Sequence, residues 1–513
     1  MKKVILSFSF IFLSSFIFAQ NFVLDSTFNL TGRKSFNFYN NIDRSYDCVV
    51  QPDNKIVLVG LSKNPSTNFF ELCFTRVNTD GTIDNTFGTS GTTKVSMGNQ
   101  SSIGGMTPRI KMDSDSRFVA VNSGRSQSGG SQDIMVCRLD SSGIIDPTFN
   151  TTGSLFVDMT GANSQPDQAN GFDIDANGNI YIAGVVGIAP PIDNRLAIIK
   201  VTNAGLLDPT FDTDGKLTLN PGSGNEFGRS VVVQPDGKIL VGSTAGNNSY
   251  LARIDSTGAF DTSFNVTGAQ TISIGASTDL MEIALDSLNN IVVAATSGST
   301  SIGVARLLPN GTFDPSFGTA GKTFFKLNNL DCIVNDMTIV SGNKILVSGS
   351  IGNSAQSTNV FVARLKNNGG LDSTFNSNGY YTNGYTSSTV EDEGYSIGLL
   401  NDGRIFSCGT IVNSSAVNED IGMLMIKPQN TTTGISSLEI NQQIRLYPNP
   451  ANSDLTILSS QLLDVLVVDV VGKTFLKAKL QVGKNNINVQ SLKPGLYFIR
   501  DLEGNINLKF VKD

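Results

Sequence analysis

Apolar residues along this chain come in short runs of about six, rich in Val, Ile and Leu and bounded by Gly, Asn and Asp, with no amphipathic helical stretch after the N-terminal segment. Residues 215–255 show the pattern well: GKLTLN at 215–220, GRSVVVQ at 228–234, GKILVGS at 237–243 and SYLARID at 249–255. The pattern predicts four strands in succession. Related segments recur. A polar turn leading into an apolar strand appears as QPDNKIVLVG at 51–60, DSDSRFVAVNSG at 113–124, DANGNIYIAG at 175–184 and QPDGKILVG at 234–242. It continues as DSLNNIVVAA at 286–295, SGNKILVSG at 341–349 and NDGRIFSCG at 401–409. A second apolar strand in each unit ends in a cation: Arg76, Arg138, Lys200, Arg253, Arg306, Arg364 and Lys427.

A third anchor sets the period. LDSTFN at 24–29 returns as IDNTFG, IDPTFN, LDPTFD, FDTSFN, FDPSFG and LDSTFN, with aspartates at 25, 84, 146, 208, 261, 314 and 372, so the steps are 59, 62, 62, 53, 53 and 58 residues. A near-constant step of this size marks an array of one supersecondary unit. Four strands of about six residues plus turns fill it, and four-stranded units in radial array are the pattern of a β-propeller. A parallel β-helix, with coils nearer 20–30 residues, ranks second. The first phrase precedes the first turn–strand set, and the last set, ending near Lys427, has no phrase after it. In a closed ring the N-terminal phrase can fill the junction between units seven and one. Repetition in every unit gives these aspartates a scaffold role rather than metal binding or acid chemistry. The Phe of each phrase is expected between adjacent blades, and each strand-end cation is expected to pair with the Asp eight residues on, across the junction.

The combination of [LI]D-x-TF-[GN], QPDGKI-[LV]-VG and ARL resembles the delta-60 repeat, a propeller repeat of bacterial surface and secreted proteins, over 22–427. The resemblance implies a seven-bladed, all-β ring and no particular catalytic activity. Unit two, with DSDSR, and unit seven, ending in MIKP, depart from the pattern and are candidates for different packing.

After Lys427 the pattern changes. Residues 428–442 are polar and read as a linker. Residues 443–513 alternate short strands with Asn-Pro, Val-Gly-Lys, Pro-Gly and Glu-Gly turns, which fits a small Ig-like β-sandwich. Tyr447, Pro448, Asn449 and Pro450, then Asp469, Gly472 and Lys473, then Pro494, Gly495 and Tyr497 carry a resemblance to the type A C-terminal sorting domain of the type IX (Por) secretion system of Bacteroidetes-type bacteria. That resemblance implies the secretion machinery and its sortase as partners, and a secreted or outer-membrane cell-surface destination. The alternative is an ordinary Ig-like domain.

Residues 1–19 add the matching export signal. Lys2 and Lys3 precede an apolar stretch of about 15 residues, too short for a membrane span, and Ala19 is a plausible cleavage residue. No later stretch reaches span length.

Composition narrows the chemistry. The net charge of −7 speaks against nucleic acid, whose phosphates need clustered Lys and Arg. With 0 His there is no Ser-His or Cys-His nucleophile pair and no His-bearing metal site. The 5 cysteines share no spacing and read as buried free thiols; of these only Cys48 and Cys73 share a unit. DIDANGN at 173–179 opens like a calcium loop, but its twelfth position is Gly184 instead of a bidentate acid, so Ca2+ competes with a plain hairpin turn.

These readings lead to an exported, non-enzymatic ring that binds or scaffolds, with a surface glycan or protein as ligand. A carboxylate-based carbohydrate-active enzyme and a purely structural surface protein are the alternatives. An enzyme should gather at least two acids from different units in one cleft. The turn and phrase pieces are regular, whereas 98–108, 160–171, 185–194 and 388–394 vary, so ligand contact is expected on the variable-loop face. The candidate residues there are Asp167, Asp193, Glu391, Asp392 and Glu393.

Overall fold

The computed structural model describes residues 20–513 except 40, 127–129, 162–164, 189–192, 221–224, 299, 354–355, 387–390, 413–418, 430–443, 448, 460–461, 470–472 and 502–506. The chain divides into two compact units, Met1–Gln429 and Asn430–Asp513. The N-terminal signal read from residues 1–19 lies outside the described residues.

The first unit holds seven antiparallel sheets. Blade one is Asp43–Val50, Ile56–Lys63, Phe70–Val77 and Thr92–Ser96, each strand paired to the next. Blades two to six repeat this order, beginning at Arg109–Met112, Gln168–Ile174, Glu226–Val233, Thr278–Leu285 and Asp331–Val340. Blade seven has Glu391–Leu399, Ile405–Val412 and Glu419–Pro428, and its outer edge is completed from the chain start: Phe22–Leu24 and Arg33–Phe36 both pair with Glu419–Pro428. The first strands of the blades lie side by side around the centre, and blade seven meets blade one through Ser396 and Asp47. The array is a closed, seven-bladed β-propeller.

This closure shifts the frame of the blade by one strand from the reading above. Because the N-terminus supplies blade seven's fourth strand, each phrase lies between the third and fourth strands of one blade and not at the blade-to-blade junction. The PDGK-type turn joins strands one and two, not two and three. Which pieces share a face is unchanged. Turns and phrases lie at one end of the ring; the crossovers between blades and the second-to-third hairpins lie at the other, because antiparallel strands alternate direction.

The phrase is a compact hydrogen-bonded unit. In blade one Asp84 Oδ1 accepts from Thr86 N at 3.0 Å and from Thr86 Oγ1 at 2.6 Å, while its Oδ2 meets Arg76 Nε at 2.8 Å. Equivalent ion pairs are Arg138–Asp146 at 2.7 Å, Lys200–Asp208 at 2.8 Å, Arg253–Asp261 at 2.7 Å, Arg306–Asp314 at 2.8 Å, Arg364–Asp372 at 2.8 Å and Lys427–Asp25 at 2.9 Å. The pairs form within a blade, not across the junction as expected; what crosses is the arginine's second nitrogen, as from Arg138 to Asn203 O at 2.6 Å. Unit seven therefore keeps the standard pairing despite its MIKP ending. Unit two does depart: Arg117 of its turn binds Asp113 at 2.8 Å, whereas Lys55 of blade one's turn reaches Asp84 at 2.8 Å.

The residue after each Phe has a left-handed backbone, with φ between 44° at Asp212 and 53° at Gly88, Gly318 and Asn376. That conformation is accessible to Gly, Asn and Asp, which explains the phrase's last letter. The seven Phe residues are wholly buried, and each fills one blade interface: Phe28 against Phe406 and Ile56, Phe87 against Phe118, Phe149 beside Val121 and Ile182. Phe211, Phe264, Phe317 and Phe375 do the same at the next four.

The second unit has a three-stranded sheet, Ile444–Tyr447, Asp454–Ser459 and Gly483–Asn488, and a four-stranded one built from Leu463–Asp469, Thr474–Leu480, Gly495–Asp501 and Asn507–Lys512. Leu455 and Ile487 from one and Val467, Ile499 and Phe510 from the other share a single core.

Candidate functional site

The variable-loop end places the candidate residues in different settings. Glu391 is exposed and begins the inner strand of blade seven, so the acids Glu391, Asp392 and Glu393 sit on a strand and not in a loop. Glu393 accepts from Tyr395 Oη at 2.6 Å, and Tyr395 packs on Tyr46 of blade one with ring centres 4.8 Å apart. Arg44 binds Glu419 with two nitrogens, Nε donating to Oε2 and Nη2 to Oε1 at 2.7 Å. Glu391–Glu393 and Glu419–Asp420 are separated by the strand Ile405–Val412 and do not converge as a carboxylate pair.

Asp392 is buried, and its Oδ2 accepts from Tyr385 N at 3.1 Å. Asp167 is likewise buried, its Oδ2 accepting from Met159 N at 2.8 Å. The two occupy equivalent places, four positions before the residue that follows the bulge of their inner strands. Each holds the crossover arriving from the preceding blade. Burial pushes both carboxyls up to about 7, so near neutrality each is partly protonated. Neither presents a carboxylate to solvent. Asp193 pairs with Ile188 in the second-to-third hairpin of blade three, and its side chain lies outside the described residues.

The ring encloses a second setting that sequence reading missed. A cavity of 320 Å³ lies on the axis, lined by Asp47, Arg109, Lys111, Ser230, Glu282, Asp336 and neighbouring residues. Register gives the reason. Six inner strands carry a bulge, and the residue just past it is Asp47, Gly171, Ser230, Glu282, Asp336 or Ser396; Arg109 holds the matching place in blade two. Gly171 is required there because a Cβ would lie 2.3 Å from Arg229 O. The polar members stitch the inner strands together. Asp47 accepts from Ile110 N at 2.9 Å, Ser230 from Ile283 N at 3.2 Å and Asp336 from Ile397 N at 2.8 Å.

Ser396 Oγ lies 2.8 Å from Asp47 Oδ1 and 2.9 Å from Asp336 Oδ2. One hydroxyl carries one proton, so a second proton on a carboxyl completes both bonds. Burial, with Asp47 and Glu282 nearby, pushes Asp336 up to about 7. Glu282 is also pushed up by burial, against the pull of Arg109 and Lys111, and meets Ser230 Oγ at 2.8 Å. Lys111 pairs with Asp173 at 2.7 Å.

The calcium-like segment is occupied with its own fold. Asp173 faces Lys111, while Asp175 Oδ1 accepts from Asn177 N and Asn179 N, both at 2.9 Å or less. Among the described residues no three His, Cys, Asp or Glu side chains converge to hold a metal ion.

In the second unit, Asn449 Oδ1 accepts from Val511 N at 2.8 Å, tying the Tyr447–Pro450 segment to the last strand. Asp469 closes its turn by accepting from Lys473 N at 2.9 Å. Tyr497, two places after Gly495 and three after Pro494, donates to Lys493 O at 3.0 Å and lies between Phe475 and Phe510. Tyr447 is half exposed; Pro448 and Gly472 lie outside the described residues.

These arrangements define an all-β propeller followed by a small β unit. The comparisons with known proteins agree. Residues 51–87, 234–264, 289–317 and 343–375 match the β-propeller family described as a domain of unknown function, DUF5122. Residues 445–512 match the secretion system C-terminal sorting domain, Por_Secre_tail. The chain carries DUF5122 β-propeller repeats followed by a Por secretion system C-terminal sorting domain, which indicates a secreted or cell-surface location and implies processing by the type IX secretion machinery. No curated protein matches the sequence. Solved structures with a similar chain path include virginiamycin B lyase from Staphylococcus aureus, at 12% identity, TM-score 0.42, covering 76% of this chain and 98% of that one. PorZ, a surface component of the type IX system of Porphyromonas gingivalis, matches at 13% and 0.36, covering 93% and 60%. A PL25 ulvan lyase matches at 10% and 0.42, covering 76% and 95%.

Proposed function

We propose that the ring is a non-enzymatic binding or scaffold module displayed outside the cell, and that its ligand, a surface glycan or protein, meets the variable-loop end. The observation that carries this reading is the contrast between the two ends. One end is stitched in every blade by the same cation, Asp, Thr or Ser and Phe set. The other carries crossovers of unequal length, such as 97–108 and 273–277, on a scaffold rigid enough to hold them. Removal of the C-terminal unit by the sortase, leaving the ring released or anchored, belongs to the same proposal. A glycan and protein array probed with the purified ring tests it. Hits lost on substituting variable-loop residues support it; hits unaffected by those substitutions count against it.

A second reading has one observation in its favour. Asp47, Glu282 and Asp336 come from three different blades and line one cavity, which meets the gathering of acids that a carboxylate enzyme needs. Two of the three, however, accept backbone hydrogen bonds from the next blade. Polysaccharide cleavage that disappears in Glu282→Gln while the fold persists would favour this reading.

A further inference from the structure

At each blade interface the residue that follows the bulge-exit position on one inner strand packs toward the second strand of the blade before it. Ile110 shares a core with Val59, and Phe172 with Val121. At the fourth interface Ile283 fills the space so closely that a Cβ at Gly242 would lie 2.8 Å from its Cδ1. The equivalent pair at the interface of blades seven and one is Cys48 and Cys408. Cys48 Sγ lies 3.6 Å from Ser396 Oγ, and Ser396 is the direct cross-strand partner of Cys408. Both cysteines belong to the core that also holds Phe28. Of the seven interfaces, this is the one where the first blade meets the last. Its closure otherwise depends on pairing of Phe22–Leu24 and Arg33–Phe36 with Glu419–Pro428, on polar contacts such as Arg44–Glu419 and Ser396–Asp47, and on packing.

We propose that Cys48 and Cys408 form a disulfide across the closing interface of the exported protein. Both thiols are reduced in this structure. Cys73, which shares a unit with Cys48, lies on the third strand of blade one, and its thiol points to Glu71 O, 3.8 Å away. Outside the cytoplasm disulfides form and persist. Two S–H bonds break and one S–S bond forms; the two electrons and two protons pass to a disulfide oxidant of the cell envelope, whose own S–S bond breaks to give a dithiol. Contact with Cys408 and burial hold the Cys48 thiol well above its ordinary range, so it is protonated and unreactive once the ring is closed. The bridge therefore forms as blade seven docks, while both sulfurs are still accessible.

The test uses the exported protein in the form recovered from medium or cell surface, which holds all 5 cysteines. It is denatured without reductant, alkylated with iodoacetamide and weighed intact. The expected result is three alkylated cysteines without reductant, Cys73, Cys137 and Cys332, and all 5 after reduction. Peptide mapping should find the segments around Cys48 and Cys408 joined. Reduction should lower the melting temperature of the native protein but not that of a Cys48→Ala, Cys408→Ala double variant. Five alkylated cysteines before reduction, or a different linked pair, overturns the proposal. The mass count on the native protein decides the matter even if the double variant fails to fold.

Discussion

Lys427 Nζ lies 2.9 Å from Asp25 Oδ1, although 402 residues separate them along the chain numbered in full. This pair is the seventh copy of the contact that Arg76 and Asp84 make within eight residues. It places the first phrase of the chain in the last blade. Arg404 adds a second cation to Asp25 at 3.0 Å. Burial alone would raise Asp25, but the bonds from Lys427, Thr27 and Arg404 bring it down to about 2.

Closure by this pair makes Asp25→Ala a sharp probe. It removes a carboxylate that is 1% exposed from between Arg404 and the partly exposed Lys427, and loss of hydrogen bonds to a charged group costs about 1.5–3 kcal/mol. Thermal melts should show a large loss of stability, comparable with Asp208→Ala. A melting temperature unchanged in Asp25→Ala would mean that the N-terminal strand does not close the ring.

The interface phenylalanines should be equally costly. Phe211→Ala and Phe264→Ala each empty a fully buried site, for an expected loss of about 3–5 kcal/mol in denaturant unfolding. Leu30→Ala, at a residue 88% exposed, is the control and should stay within about 0.5 kcal/mol.

Stability should peak in mildly acidic solution. Asp25 and Asp208 are held at about 2, Asp208 first of all by its bond from Lys200. Their contribution is complete above the ordinary carboxyl range and is lost as pH falls from about 4 toward 2. Asp167, Asp336 and Asp392 are raised by burial to about 7. Their contribution is complete below about 4 and declines as pH rises through 7. Melting temperature measured from pH 2 to 9 should fall on both sides of about pH 4–5. Asp392→Asn, which keeps the acceptor for Tyr385 N, should flatten the decline toward neutral pH. A neutral limb of unchanged slope in that variant would contradict the assignment.

The acids of blade seven should separate by burial. Glu391→Ala with Glu393→Ala should alter ligand binding at the variable-loop end without unfolding the ring. Asp392→Ala should instead destabilise it by about 1–3 kcal/mol, because Tyr385 N loses its buried acceptor. Binding assays and melts on the two variants check this division.

Export should leave a shorter protein. Intact mass of material from the medium or the cell surface is expected to lack residues 1–19 and the C-terminal unit. A full-length species as the dominant form there would count against removal.

Repetition carried most of the fold. Asp84, Thr86 and Phe87 recur with Arg76 at one spacing, and each does locally what its chemistry prescribes: the carboxylate caps its own turn, the cation reaches it from the strand end, and the ring packs on the neighbouring blade. The C-terminal unit was legible for a different reason, because Asn449, Asp469, Lys473 and Tyr497 fall in a specific order at short range. The axial residues had a signal too. Asp47, Arg109, Ser230, Glu282, Asp336 and Ser396 each stand four places before the residue that opens the following turn, where polar letters interrupt an apolar strand.

The sequence by itself therefore determined the unit, its number and the C-terminal sorting domain, since these rest on local turn chemistry, strand patterning and short motifs. Only the tertiary structure decided the frame of the blade, the burial of Asp167 and Asp392, the gathering of Asp47, Glu282 and Asp336 around one cavity and the meeting of Cys48 with Cys408. The physical reason is closure. Joining the first strand to the last sheet fixes which strand is innermost, and that choice brings together residues from blades far apart in the chain, a relationship no local spacing encodes.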